Sequence, residues 1–292
     1  MTAPLIAVTG STGQLGGRLA FRLAAEGAHQ RLIVRDAARA PHLAGASVAV
    51  ARSYTDGAGM RAALEGAETL FLVSGRESAD RVAEHRSAID AATDAGVGRI
   101  VYVSFLGAAP DATFTFARDH AATEEYIRST GARFTFLRDN FDLAMFPHLV
   151  GDDGVIRGPA GDGRVTAVAH DDIADVATAV LLDERVAEHD GKTYDVTGPE
   201  ALSMADAAEH LSRATGRAIT YVPETVEEAY ASRDHYGAPA FEVDGWVTSY
   251  TAIATGEMAQ VSPTVRVLTD REPESFVRWL DLNPQEWAHL RA

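Results

Sequence analysis

Short apolar runs alternate with helical patterns through the first half of the chain. Leu5 to Thr9 is an apolar, β-prone run, and Leu15, Leu19 and Leu23 then recur every four residues, as one face of a helix does. Further strands are predicted at Arg31 to Val34, Ser47 to Ala51, Thr69 to Val73, Arg99 to Val103 and Arg133 to Leu137. The segments between them are rich in Ala, Glu and Arg. They end at Gly27, Gly66, Gly96 and Gly131, where helix C-caps belong. Strands alternating with helices predict an α/β fold, a doubly wound parallel sheet with helices on both faces.

Beyond about Phe141 the rhythm changes. Gly151-Asp152-Asp153-Gly154 and Gly158 to Gly163 are turn-rich. Asp171-Asp172 precedes a helical stripe of Ile173, Val176, Ala177, Val180 and Leu181, and one of the two carboxylates is expected to be its N-cap. A short strand is expected around Lys192 to Val196, then mixed helix and loop to about Leu282. The expected division is a sheet domain of residues 1–140 with a return segment at about 165–198. Residues 141–164 and 199–292 then form a smaller mixed α/β lobe over the C-terminal edge of the sheet.

Composition narrows the chemistry. The 292 residues include no cysteine, which removes disulfides, thiolate nucleophiles and zinc–thiolate sites. A formal net charge of −16 repels nucleic acid and anionic lipid, so neither is an expected partner. Any phosphorylated ligand must then be held by a few arginines and backbone N–H groups. No apolar run approaches the roughly 20 residues of a membrane span, and the N-terminus lacks a basic segment, so the expected location is the cytoplasm. The ten histidines show no ligand spacing, and no metal is expected. Gly-x-Ser-x-Gly does not occur, which leaves hydrolase chemistry unsupported.

The most informative segment is Gly10-Ser11-Thr12-Gly13-Gln14-Leu15-Gly16, between the first strand and the first helix. Gly10 permits a tight turn, Gly13 lets the backbone approach a pyrophosphate, and Gly16 lets the helix pack close to the sheet. Free N–H groups at the helix start then face an anion. The strand–turn–helix context, with a second strand within about 30 residues, points to a Rossmann-type dinucleotide site. The second strand ends in Arg35-Asp36. An acidic residue there would take the ribose 2′-hydroxyl of NAD, whereas an arginine favours the 2′-phosphate of NADP. Asp36 is expected to cap the following turn, so NADP(H) is preferred and NAD(H) remains possible. Arg39, one turn on, is either a second phosphate contact or a solvated charge.

Together with Leu70 to Ser74, Ile100 to Ser104, Phe136 to Phe141, Asp171 to Ala174 and Tyr194 to Pro199, these segments resemble the NmrA-like group of atypical short-chain dehydrogenases/reductases, closest to the NAD(P)H:quinone oxidoreductase-like members. The resemblance implies an N-terminal Rossmann domain and a C-terminal substrate lobe, with the nicotinamide where the fourth and fifth strands meet the lobe. It also implies departures. Where short-chain dehydrogenases carry Tyr-x-x-x-Lys, this chain reads Phe116-Ala117-Arg118-Asp119-His120. Phe116 has no proton to give, while His120 is able to replace the lysine at the ribose, oriented or held protonated by Glu124. Ser53 stands where relatives often carry Asp near the adenine.

Ser74 and Gly75 end the fourth strand and are expected beside the nucleotide. Ser104 ends the fifth; it either bonds an acceptor oxygen or binds backbone. His120 is a cofactor contact or a structural histidine. Asn140, Phe141 and Met145 are expected to line the nicotinamide or substrate pocket, core packing being the alternative for the two apolar ones. The function expected is hydride transfer from NADPH to a quinone or activated enone/carbonyl acceptor in an apolar pocket. His120 would hold the ribose, and Ser104 or Asn140 would polarise the acceptor. The alternatives are a non-catalytic NADP(H) sensor, or a dedicated biosynthetic reductase or isomerase with a pocket shaped by Phe241, Trp246 and Tyr250. A monomer or homodimer is expected.

Overall fold

A computed structural model describes residues 4–291. Six strands with four α-helices between them come first: β1 (Ile6–Val8), α1 (Gln14–Ala25), β2 (Gln30–Val34), β3 (Ala46–Val50), α2 (Gly57–Leu64), β4 (Thr69–Leu72), α3 (Arg81–Asp94), β5 (Arg99–Phe105), α4 (Thr115–Ser129) and β6 (Arg133–Asp139). The second half runs α5 (Met145–His148), β7 (Val155–Gly158), β8 (Arg164–Val165), α6 (His170–Leu182), β9 (Lys192–Asp195), β10 (Leu202–Ser203), α7 (Met204–Thr215), β11 (Thr220–Pro223), α8 (Val226–Arg233), α9 (Ala240–Ala254), α10 (Thr264–Thr269) and α11 (Phe276–Leu282).

Seven strands form one sheet in the order β3-β2-β1-β4-β5-β6-β9. Every neighbouring pair is parallel, which is the Rossmann-type sheet the alternating pattern predicts. Strand residues alternate between the two faces. Ile6, Val8, Phe71, Val101 and Leu137 pack with Leu15, Leu19 and Leu23 of α1 and with Ile173, Val176 and Val180 of α6. Ala7, Leu70, Leu72, Tyr102 and Phe136 pack with Met60 and Leu64 of α2, Ala88 and Ile89 of α3 and Ile127 of α4. Gly27, Gly66, Gly96 and Gly131 all lie just past helix ends at positive φ, the left-handed conformation in which a Cβ is costly.

Three expectations need correction. Neither Asp171 nor Asp172 caps α6: the helix begins at His170, one residue earlier, after extended Ala169. Asp171 instead accepts from Arg18 (2.9 Å) and Arg22 (2.7 Å) of α1. Asp172 accepts from the Glu274 backbone N–H (2.8 Å) and from Arg271 (3.1 Å). Both carboxylates still lie in the first helical turn, where the macrodipole favours them. Second, the segment after β9 holds strands as well as helix and loop. β11 pairs with β7 in parallel, and β10 pairs with β8 antiparallel. Pieces of two to four residues carry too little alternation to be seen in a sequence. Third, Tyr250 lies in the apolar core of this half with Phe146, Phe276 and Trp279.

Candidate active site

The glycine loop leaves β1 at the point where the strand order reverses, between β1 and β4. Open parallel sheets bind ligands at such a point, beyond their strand ends. Gly10 turns at φ +64°. A Cβ on Gly16 would lie 2.4 Å from the Gly10 carbonyl oxygen and 2.6 Å from that of Thr9, so only glycine lets α1 start this close to the strand. Gly13, with Thr12 and Gln14, is exposed at the helix start. Leu15 is buried in the core and offers the loop only its backbone. Ser11 is 2% exposed, and its hydroxyl has no hydrogen-bond partner among the described residues. An unpaired buried hydroxyl costs free energy unless a ligand satisfies it. The loop therefore fits the anionic bridge of a dinucleotide, with Ser11 and the first N–H groups of α1 as donors.

At the end of β2 the side chains of Arg35 and Arg39 are exposed. Asp36 accepts from the Ala38 N–H at 3.0 Å, the cap expected of it. Ser53, after β3, is exposed and bonded to Thr55 (2.8 Å).

The end of β4 is held by residues that single-sequence reasoning missed. The Gly75 N–H donates to His85 Nε2 (2.7 Å), and Arg81 Nε donates to the Gly75 carbonyl (3.0 Å). With Nε2 accepting, His85 carries its proton on Nδ1, directed at Thr123 Oγ1 (2.9 Å). Arg81 also reaches His120 Nε2 (3.1 Å), and His120 Nδ1 faces the Tyr102 hydroxyl (2.9 Å). His120 is thus a neutral imidazole, accepting through Nε2 and donating through Nδ1. Burial and the nearby Arg81 charge hold it well below the usual histidine range. The same two causes push His85 down to about 3. Glu124 does not touch His120. It accepts from Arg138 (2.7 and 2.8 Å), Arg128 (3.1 Å) and the Ser104 hydroxyl (2.6 Å).

His120 lines a cavity of about 290 Å³ beyond the ends of β4, β5 and β6. Its apolar wall includes Phe105, Phe114, Phe116, Phe141, Met145 and Trp246. Ser74, Glu77, Arg81, Asp139, Asn140 and Asp142 supply polar surface. Ser104 is fully buried and lies outside this lining, and its hydroxyl proton is spent on Glu124. Asn140 lines the cavity, but its amide donates to the Thr166 hydroxyl (2.8 Å) and the Met258 carbonyl (3.0 Å), and its oxygen accepts from the Phe141 N–H (2.8 Å). Of Phe241, Trp246 and Tyr250, only Trp246 lines the cavity.

The NmrA-like family model matches residues 2–243. The chain belongs to the NmrA-like family. This family member is 32% identical to quinone oxidoreductase 2 of Escherichia coli over 271 residues, covering 90% of this chain and 93% of that protein. It is 31% identical to the NAD(P)H azoreductase of Xenophilus azovorans, covering 94% of this chain and 96% of that protein. The structure of an NADPH-dependent quinone oxidoreductase from Escherichia coli in complex with NADPH matches with a TM-score of 0.84 at 30% identity, covering 98% of this chain and 99% of that one. The family resemblance and the Rossmann-type fold read from the sequence both stand. No helix among the described residues is long and apolar enough to cross a membrane.

Proposed function

We propose that this protein is an NADPH-dependent reductase of small apolar acceptors, a quinone or an activated enone or carbonyl compound. The observation that carries the reading is a continuous line along the C-terminal edge of the sheet. It runs from the glycine loop at β1, through Ser74 and Gly75 at β4, to the aromatic cavity beyond β5 and β6. A dinucleotide laid along it has its pyrophosphate on Gly10 to Gly16 and its nicotinamide at the cavity mouth. The NADPH complex of the quinone oxidoreductase and the named activities of the two relatives support this reading. Arg35 and Arg39 face solvent at the end of β2 and Asp36 is engaged as a cap. NADPH is therefore the preferred cofactor, with NADH a weaker substitute.

The cofactor, when bound, supplies a hydride. The chain supplies position and a dry wall. His85 and Arg81 fix the Gly75 backbone on which the nucleotide rests, and His120 holds Arg81 in place. Ser104 acts through Glu124, which ties α4 to Arg138 on β6, and Asn140 locks the cavity floor to Thr166 and Met258. The test is NADPH oxidation against a panel of quinones and enones. Consumption that needs both protein and acceptor is expected. A folded protein that binds NADPH yet consumes none with any acceptor would instead be a dinucleotide sensor.

A further inference from the structure

We propose that Asp139 is the acid that gives a proton to the acceptor oxygen as hydride arrives, an assignment that rests on the reductase reading above. Reduction of a quinone or enone needs one proton as well as a hydride, and most polar groups around the cavity are already engaged. Both ring nitrogens of His120 are bonded, and the Asn140 amide is saturated. Asp142 accepts from the Ala144 N–H (3.1 Å), and its other carboxyl oxygen lies 2.9 Å from His170 Nδ1. Ser249 donates to the Trp246 carbonyl (2.9 Å). Tyr102 is fully buried behind His120 and does not line the cavity.

Asp139 differs from all of these. It is the last residue of β6, in register with Phe105 of β5, and its backbone carbonyl accepts from the Leu106 N–H at 2.7 Å. Asp139 lines the cavity, and its carboxyl makes no side-chain hydrogen bond among the described residues. The other titratable groups lining the same space are Arg81 from α3, His120 from α4, Glu77 from the loop after β4, and Asp142, which has His170 Nδ1 2.9 Å away. Burial and the like charge of Asp142 push the Asp139 carboxyl well above the usual carboxylate range, against the opposing pull of Arg81. Both push the group toward its protonated form, the form a proton donor needs. Glu77 also lines the cavity and is pushed the same way, but it stands on a loop, without a rigid strand to aim it.

The hydride electron pair forms a C–H bond on the conjugated acceptor, and a π pair moves onto the acceptor oxygen. The Asp139 O–H bond breaks, the acceptor O–H bond forms, and Asp139 is left as carboxylate. Water returns its proton after product leaves. The acceptor gains two electrons and NADPH loses them.

The assignment is tested with two acceptors, an enone that needs a proton and a cationic triarylmethane dye that takes hydride alone. In Asp139→Asn the ratio of enone rate to dye rate is expected to fall about 100-fold or more relative to the unaltered protein. In the unaltered protein without cofactor, infrared spectra at neutral pH are expected to show a protonated-carboxyl band that is missing in the variant. An unchanged rate ratio overturns the assignment while leaving the reductase reading intact, and so does absence of the band. Should the unaltered protein reduce neither acceptor, the reductase reading falls and the assignment falls with it.

Discussion

Arg81 Nη2 lies 3.1 Å from His120 Nε2, so a guanidinium donates to a buried neutral imidazole. The contact fixes the tautomer: the remaining proton sits on Nδ1 and points at the Tyr102 hydroxyl. Tyr102→Phe would leave that N–H buried and unpaired, at a cost of about 1–3 kcal/mol. Urea unfolding measures it. A variant as stable as the parent would mean that the Tyr102 hydroxyl does not hold the His120 ring. Arg81→Met should raise the His120 proton midpoint, as followed by NMR titration, because a repelling charge is removed.

Stability should begin to fall with acid above the ordinary carboxylate range. His85 is held at about 3, against about 6.5 in the unfolded chain. Between those values the unfolded chain binds a proton that the folded one does not. Stability therefore drops as pH falls through that window, by about 1.4 kcal/mol per pH unit from this group. His120 acts with the same sign. His85→Gln removes its share, so its stability profile from pH 7 to 4 should be flatter than the parent's in chemical denaturation.

Arg35→Asp should weaken NADPH far more than NADH. A charge-assisted contact to a 2′-phosphate contributes about 1.5–3 kcal/mol, which is about 10- to 150-fold in the ratio of the two dissociation constants. Fluorescence titration with both cofactors reads it directly. Equal weakening of the two would remove Arg35 from the phosphate.

Glu124 is 1% exposed and holds two arginines and a serine. Glu124→Gln leaves Arg138 without its counter-charge, and a loss of about 3–5 kcal/mol is expected. Adding Arg138→Met should recover part of that loss if the penalty comes from the stranded charge. A double variant no more stable than Glu124→Gln alone would place the cost elsewhere.

The sheet and the first helix were legible because their signals are local: near-continuous apolar runs along β4 and β5, buried on both faces, and a four-residue recurrence along Leu15, Leu19 and Leu23. The acid–base lining was legible only in part: the family resemblance pointed to His120 and Glu124 but not to Arg81, His85 or Thr123. Arg81 and His85 sit on the buried face of α3 with Ala88, Ile89 and Ala92. His120, Thr123 and Glu124 sit on the buried face of α4 with Phe116 and Ile127. Each stripe has the helical period, but its polar members read as surface when only apolar residues are counted. Following the period regardless of polarity would have brought His85 to Thr123 and Arg81 to His120. Asp139 was hidden differently. Its meaning depends on Phe105 and Asp142 arriving from other segments, and nothing local in Leu137 to Asn140 marks it. The misplaced cap at Asp171 and Asp172 has a similar cause, since the arginines that claim the first lie on α1 and the one that claims the second follows α10.

β9 bonds to β6 from Thr135 to Arg138, and the clasp is tightened by Arg99 with Asp190 (2.8 and 3.0 Å) and by Thr135 with the His189 carbonyl (2.8 Å). During synthesis, β6 leaves the ribosome long before β9 exists. Until α5, β7, β8 and α6 have followed, its outer edge offers bare N–H and C=O groups to any strand it meets, including those of other nascent chains. The dinucleotide-binding half is thus not a module that ends at Asp139. A fragment cut there keeps the glycine loop and the first six strands but carries an adhesive border, and soluble production requires the chain to run on past Asp195.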